Sequence, residues 1–174
     1  METPCKVCRG DGVQKKTETI SVHIPAGVTS GNYLPLRGKG NAGPRGGSPG
    51  DLLVFIQEVD HPVFQRHDDD VILYLPVSYS QAALGAQVEV PTLSGKVLMT
   101  IPKGTQTNRL FRLRGKGIPH LHGSGRGDEI VRVIVWTPTK LAGDGEDLLK
   151  KLADHESKDF PTPEQLRRSL DGRG

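Results

Sequence analysis

The thiol chemistry of this chain rests on one element, Cys5-Lys-Val-Cys8-Arg-Gly10-Asp-Gly12. Two thiolates at this spacing can grip a single Zn²⁺, and glycines just after them let backbone amides turn toward the sulfurs. A structural zinc wants four such ligands, so Cys5 and Cys8 read as half of a zinc site. The redox alternative places a Cys-x-x-Cys at the start of a helix, which Gly10 and Gly12 would spoil. Unreactive free thiols are the remaining reading. Two cysteines build no disulfide framework, so a reducing, cytoplasmic setting is expected.

Other residues with chemical potential reduce to simpler roles. Gly38-Lys-Gly40-Asn-Ala-Gly43 matches a dinucleotide fingerprint, but that pattern works only between a strand and a helix. Pro44-Arg-Gly-Gly-Ser-Pro-Gly50 follows it, where no helix is expected to begin. His61-Pro62 and His120-Leu-His122 lack acidic or thiol partners nearby in sequence and read as loop histidines. Asp68-Asp69-Asp70 reads as a solvated turn before the next strand. With no nucleophile elbow, paired carboxylates or partnered histidine, the chain is expected not to be an enzyme. Arg37, Lys39, Arg112, Arg114 and Lys116 could align as a basic stripe. Nucleic-acid binding also needs stacking aromatics, and Phe55, Phe64, Tyr74 and Phe111 sit inside apolar runs instead.

The elements that position these residues belong to a turn-rich chain. Among 174 residues there are 22 glycines and 13 prolines, with 34% hydrophobic, 25% charged and only 5% aromatic residues. That composition allows a modest core, one domain or two small ones, and mostly β structure. A net charge of +3 is too mild to imply nucleic acid. No apolar run approaches the length of a membrane span, and no leader-like basic-then-apolar start is visible.

Internal repetition is the most informative feature. Ile24-Pro-Ala-Gly27 returns as Ile101-Pro-Lys-Gly104, Leu36-Arg-Gly-Lys-Gly40 as Leu113-Arg-Gly-Lys-Gly117, and Gly50-Asp51 as Gly127-Asp128, each at an offset of 77 residues. A fixed offset across several motifs marks a duplicated domain. Each copy reads as β, with strands at 52–58 and 129–136 opened by the Gly-Asp pair. Val131, Val133 and Val135 should share one face, and apolar groups on both faces predict a sandwich-like core.

The second copy carries an introduction that the first lacks. A strand is expected over Val71–Val77, then a Ser78-Tyr-Ser-Gln81 capping box, a short helix ending at Gly85, and an alternating strand with Val88 and Val90 inward. Shifted back by 77 residues, this introduction would begin before Met1, so the chain is expected to start inside a domain. In the tail, Leu148, Leu149 and Leu152 keep helical spacing, and Thr162-Pro163-Glu164-Gln165 is a helix start.

Together these motifs resemble the C-terminal region of the zinc-containing DnaJ-type co-chaperones. The resemblance runs from the Cys-x-x-Cys-x-Gly-x-Gly unit at 5–12 through Ile-Pro-Ala-Gly-Val at 24–28 and Leu-Arg-Gly-Lys-Gly at 36–40. It continues with His61-Pro-x-Phe64, Ala83-Leu84-Gly85, Val90-Pro-Thr-Leu-x-Gly95, Thr105-Gln-Thr107 and Leu113-Arg-Gly-Lys-Gly-Ile-Pro119. It implies two β-sandwich-like client-binding domains, an inserted zinc module, and homodimerisation through the C-terminal tail. It implies unfolded polypeptide clients and delivery to a DnaK-type heat-shock ATPase, with no nucleic acid or membrane partner. The family's zinc module has four cysteine units, of which one is present, so zinc is not expected to be held by Cys5 and Cys8 alone. The J-domain with its His-Pro-Asp tripeptide is absent, and stimulation of the ATPase is not expected.

The resemblance also implies a client groove, in which an extended peptide adds as a strand to a sheet edge. By motif, Thr19–Ile24 supplies that edge, Ile20 and Val22 line one face, and Phe64 closes the pocket, or all three are plain core residues. The expected organisation is mainly β: two tandem small β-sandwich-like domains, the first incomplete, followed by a short helical tail. Residues 1–12 would be the zinc-module remnant, 13–66 the incomplete first domain, 67–140 the second domain and 141–174 the dimerisation tail. The rival expectation is a dimerisation scaffold with a non-functional client groove.

Overall fold

A strand forms only where an alternating run finds a partner, and the repeat motifs determine which runs do so. A computed structural model describes residues 8, 12–141, 143–156 and 160–170. Its chain separates into two units. The first takes the described residues up to Asp60 together with His120–Gly123; the second takes His61–Pro119 and the described residues from Ser124 onward. The expected zinc remnant at 1–12 lies outside the described residues apart from Cys8 and Gly12.

In the first unit β1 (Tyr33–Leu36) pairs antiparallel with β2 (Leu52–Phe55), Tyr33 opposite Phe55 and Leu36 opposite Leu52. The loop between them is clasped at its base. Gly38 N–H donates to Asp51 Oδ1 at 2.8 Å, and Gly40 N–H donates to the Gly50 carbonyl at 2.8 Å. Gly38 sits at φ 67°, a conformation that glycine adopts without steric cost. A Cβ on Gly40 would lie 2.7 Å from the Asp51 carbonyl oxygen.

The second unit repeats this clasp. β7 (Leu110–Leu113) pairs with β8 (Glu129–Trp136), Leu110 opposite Arg132 and Leu113 opposite Glu129, the same register shifted by the repeat offset. Gly115 N–H donates to Asp128 Oδ1 at 2.7 Å and Gly117 N–H to the Gly127 carbonyl at 2.8 Å. Duplication is therefore structural down to single hydrogen bonds. One difference is added: Arg112 pairs with Asp128, where the first copy has Pro35. The Gly115 amide and the Arg112 guanidinium hold the Asp128 carboxyl below its ordinary range.

What the second unit adds is the introduction. β3 (Phe64–His67) and β4 (Asp70–Ser78) form a hairpin turning at Asp68, φ 55°, so the acidic run is a turn as expected. β4 then lies parallel to β8 along its whole length, Val71 beside Glu129 through Ser78 beside Trp136, giving the order β3-β4-β8-β7. Because β3 bonds to β4, the division of the chain falls at Asp60/His61, ahead of the expected boundary after residue 66.

Ser78 caps α1 (Tyr79–Leu84) with the full capping box: its Oγ accepts the Gln81 N–H while Gln81 Oε1 accepts the Ser78 N–H. Gly85 ends the helix at φ 82°. β5 (Ala86–Thr92) and β6 (Gly95–Ile101) follow as a second, two-stranded sheet. Leu73 and Val77 of β4, Val131 and Val133 of β8, Ala82 of α1, and Val90, Met99 and Ile101 of the hairpin close one buried cluster. Two short helices complete the described tail, α2 (Gly145–His155) and α3 (Pro163–Leu170), the latter capped reciprocally by Thr162 and Gln165. The protein is mainly β with a short helical tail.

Two further expectations are corrected. Thr19–Ile24 is not a strand. Its counterpart in the second copy belongs to β6, which is held by β5. The residues standing one repeat offset before β5, at 9–15, read Arg-Gly-Asp-Gly-Val-Gln-Lys and lack any strand-like alternation. Second, a one-turn 3₁₀ helix forms at Pro44–Gly46, where none was expected, because proline suits a first helical position. It is too short to be a phosphate-binding helix.

The two copies differ in cover. Val131 and Val133 are 0% exposed, whereas Val54 and Ile56 at the same repeat positions are only half-buried. None of the described residues of the first unit is fully buried. The glycine before each aspartate shows the same asymmetry. A Cβ on Gly127 would lie 2.1 Å from the Asp69 carbonyl oxygen, while one on Gly50 has its nearest atom at 4.0 Å. Gly127→Ala is therefore expected to destabilise its unit by about 3 kcal/mol, and Gly50→Ala to stay within about 0.5 kcal/mol. Urea unfolding resolved by hydrogen exchange checks the pair; equal effects would contradict the asymmetry.

Candidate functional site

Backbone that is not in a ladder offers donors and acceptors to another chain. Thr19–Ile24 is such a run. Ile20 and Val22 are half-buried while Thr19, Ser21 and His23 are exposed, the alternation of a strand without its sheet. None of its backbone N–H or C=O groups bonds to another described residue. Ile24 is exposed as well, although its repeat counterpart Ile101 is fully buried under β5. In the same unit, Phe55 on β2 is 71% exposed and lies 6.0 Å, ring to ring, from Tyr33.

Phe64, expected to close the client pocket, is the first residue of β3 in the second unit, opposite Leu73. The His-Pro-x-Phe motif is a turn that delivers it there: His61 Nδ1 accepts the N–H groups of Val63 at 3.1 Å and Phe64 at 3.2 Å, and the His61 ring lies tilted against Phe64 with centroids 5.1 Å apart. Phe64 is half-buried and packs on the second unit's core cluster. Ile20 and Val22 thus belong to one unit and Phe64 to the other.

Cys5 lies outside the described residues, and Cys8 is a half-buried free thiol. Among the described residues no three His, Cys, Asp or Glu side chains converge as a metal site requires.

A second feature escaped the sequence reading. In the second unit a cavity of about 560 Å³ opens between the start of α1 and α2, lined by Ser78, Tyr79, Pro138, Leu141, Leu149 and Leu152 among others. Tyr79 Oη donates to Glu156 Oε1 at 3.2 Å across its mouth, and that hydrogen bond and the carboxylate charge raise the phenol above its ordinary range. The leucine spacing of α2 was visible in sequence; that Tyr79 would face it was not. α2 buries none of its residues, and Leu148 is 63% exposed. No helix among the described residues is long and apolar enough to cross a membrane.

Comparison with known proteins bears directly on these motifs. The family model described as DnaJ C terminal domain matches residues 2–138. Chaperone protein DnaJ of Chlorobium luteolum is 52% identical over 148 residues, covering 85% of this chain and 39% of that protein. Chaperone protein DnaJ of Chlorobaculum tepidum is 51% identical, covering 85% and 37%. Chaperone protein DnaJ of Bacillus mycoides is 45% identical over 168 residues, covering 97% of this chain and 46% of that protein. The chain thus spans about two fifths of the length of the curated relatives it matches. Since the matched region contains both Leu-Arg-Gly-Lys-Gly clasps and the sheets they close, the chain belongs to the DnaJ C-terminal domain family.

Proposed function

We propose that this chain is a co-chaperone module that holds unfolded, apolar stretches of polypeptide by strand addition at Thr19–Ile24, without covalent chemistry. The observation that carries this reading is the run whose backbone groups bond to no other described residue while Ile20 and Val22 alternate in burial with their neighbours. Main-chain bonds along such an edge accept any sequence, and the apolar pair selects large hydrophobic side chains. Burial of one client leucine is worth about 1.5–3 kcal/mol, so binding is weak and reversible. The names of the relatives support the chaperone role. In a cytoplasmic setting the released client would pass to a DnaK-type ATPase, and Cys5 and Cys8 would contribute half of a zinc site without retaining the ion by themselves. Phe64 is engaged on the second unit's core, so the proposal rests on Ile20 and Val22.

A second role is compatible with the first. The exposed leucines of α2 favour a homodimer through the tail, a second copy covering the face that this chain leaves open.

Fluorescence anisotropy of a labelled leucine-rich heptapeptide tests the client site. Saturable binding weakened about fivefold by Ile20→Ser or Val22→Ser is expected, equivalent to about 1 kcal/mol. Binding that survives both substitutions, or no binding by the unmodified chain, would overturn it, the latter leaving the scaffold role. For the tail, sedimentation of Leu148→Glu/Leu152→Glu should give a monomer mass; an unchanged dimer mass, or a monomeric unmodified chain, would contradict the dimer.

A further inference from the structure

Glu129 opens β8 at a position where the first copy carries Leu52. It lies on the inward face with Val131 and Val133, is 0% exposed, and sits between Val71 of β4 and Leu113 of β7 in the sheet. Neither carboxyl oxygen has a hydrogen-bond partner among the described residues. A buried carboxylate in that position would be uncompensated, whereas the neutral acid resembles the leucine of the other copy.

The charged groups around it do little to relieve this. Lys116, in the loop after β7, is the charge that favours the ionised form. On β8, Asp128 is engaged by Gly115 N–H and Arg112, and Arg132 lies on the opposite face over the Tyr74 ring. On β4, Asp70 accepts the Asp128 N–H at 2.6 Å; on β3, His67 pairs across from Asp70 and faces the exposed Asp68 carboxylate. Arg114, just after β7, exerts its pull on Asp128. In the β5–β6 hairpin, Glu89 and Lys96 form an exposed pair of their own.

We propose that Glu129 is a proton-operated lock on the second unit: the folded sheet holds its carboxyl as the neutral acid, and loss of that proton loosens the β4–β8 pair. Burial raises this carboxyl from its ordinary 4.5 to about 7. Between those values the folded chain binds more protons than the unfolded chain, so the contribution to stability is complete below about 4.5 and is lost as the pH rises toward 7. Asp128 acts with the opposite sign, its contribution being lost only as the pH falls below the ordinary aspartate range. The second unit is therefore held most tightly in mild acid, where many proteins begin to loosen.

Trp136, the chain's single tryptophan, ends β8 and reports on this strand. Urea unfolding followed by its fluorescence, from pH 5 to pH 8, should show the folding equilibrium constant of the unmodified chain falling on the order of a hundredfold relative to Glu129→Gln and Glu129→Leu. Parallel pH profiles for all three proteins would overturn the proposal. Should neither variant fold, the infrared spectrum of the unmodified chain at pH 6 decides instead. A carbonyl band from a buried, protonated carboxylic acid is expected there, and its absence from the folded protein would overturn the lock.

Discussion

Where Gly117 passes Gly127, and Gly40 passes Gly50, two stretches of backbone run so close that a methyl group has no room on Gly117 or Gly40. Everything else in each copy depends on that approach. It brings the next aspartate under the turn, where Asp51 and Asp128 each accept a glycine N–H, and it sets the register of the strand pair that follows. The same hydrogen bonds recur at the same offset although the loops between them differ, with a 3₁₀ turn in one and a His-Leu-His segment in the other. The constraint lies in the backbone, and glycine is the residue that permits it.

From this shared clasp the two copies diverge through what lies beside it. In the second, β4 pairs parallel to β8 and its hairpin with β3 crowds Gly127, so Val131 and Val133 become a dry core. Alternate residues of β8 from Glu129 to Val133 are fully buried, while Ile130, Arg132 and Ile134 on the other face are half-buried. Glu129 is the charged residue on the buried face, and its exclusion from water is a consequence of the same close packing. In the first, Val54 and Ile56 stand at the same positions without such a neighbour among the described residues, and Ile24 is exposed where Ile101 is covered. The strand addition proposed for the first copy would draw on this one difference in burial.

Much of this was legible in the residues. The repeat offset, the Ser78 and Thr162 capping boxes, and the inward face of β8 follow from local chemistry that leaves a mark on sequence, whereas the glycine-to-aspartate bonds of the clasps emerge only in the fold. Thr19–Ile24 alternates like a strand without being one, because alternation reports what a segment could pair with and not whether a partner is present. Phe64 was assigned to the first domain because its motif precedes the second copy, while its strand pairing is decided by a hairpin partner a few residues later. The cavity between Tyr79 and α2 depends on long-range placement, and nothing in the spacing of either segment signals the other. Glu129 has the parity of Val131 and Val133, but only its pairing with β4 and β7 shows that this position is buried.

Hydrogen exchange at the amides of Thr19–Ile24, with and without an extended leucine-rich peptide, tests most directly whether this run is a strand awaiting its partner. Amides unprotected in the free chain and protected in alternation once peptide is added are the expected result. Protection already present in the free chain, or none gained on saturation with peptide, would contradict it.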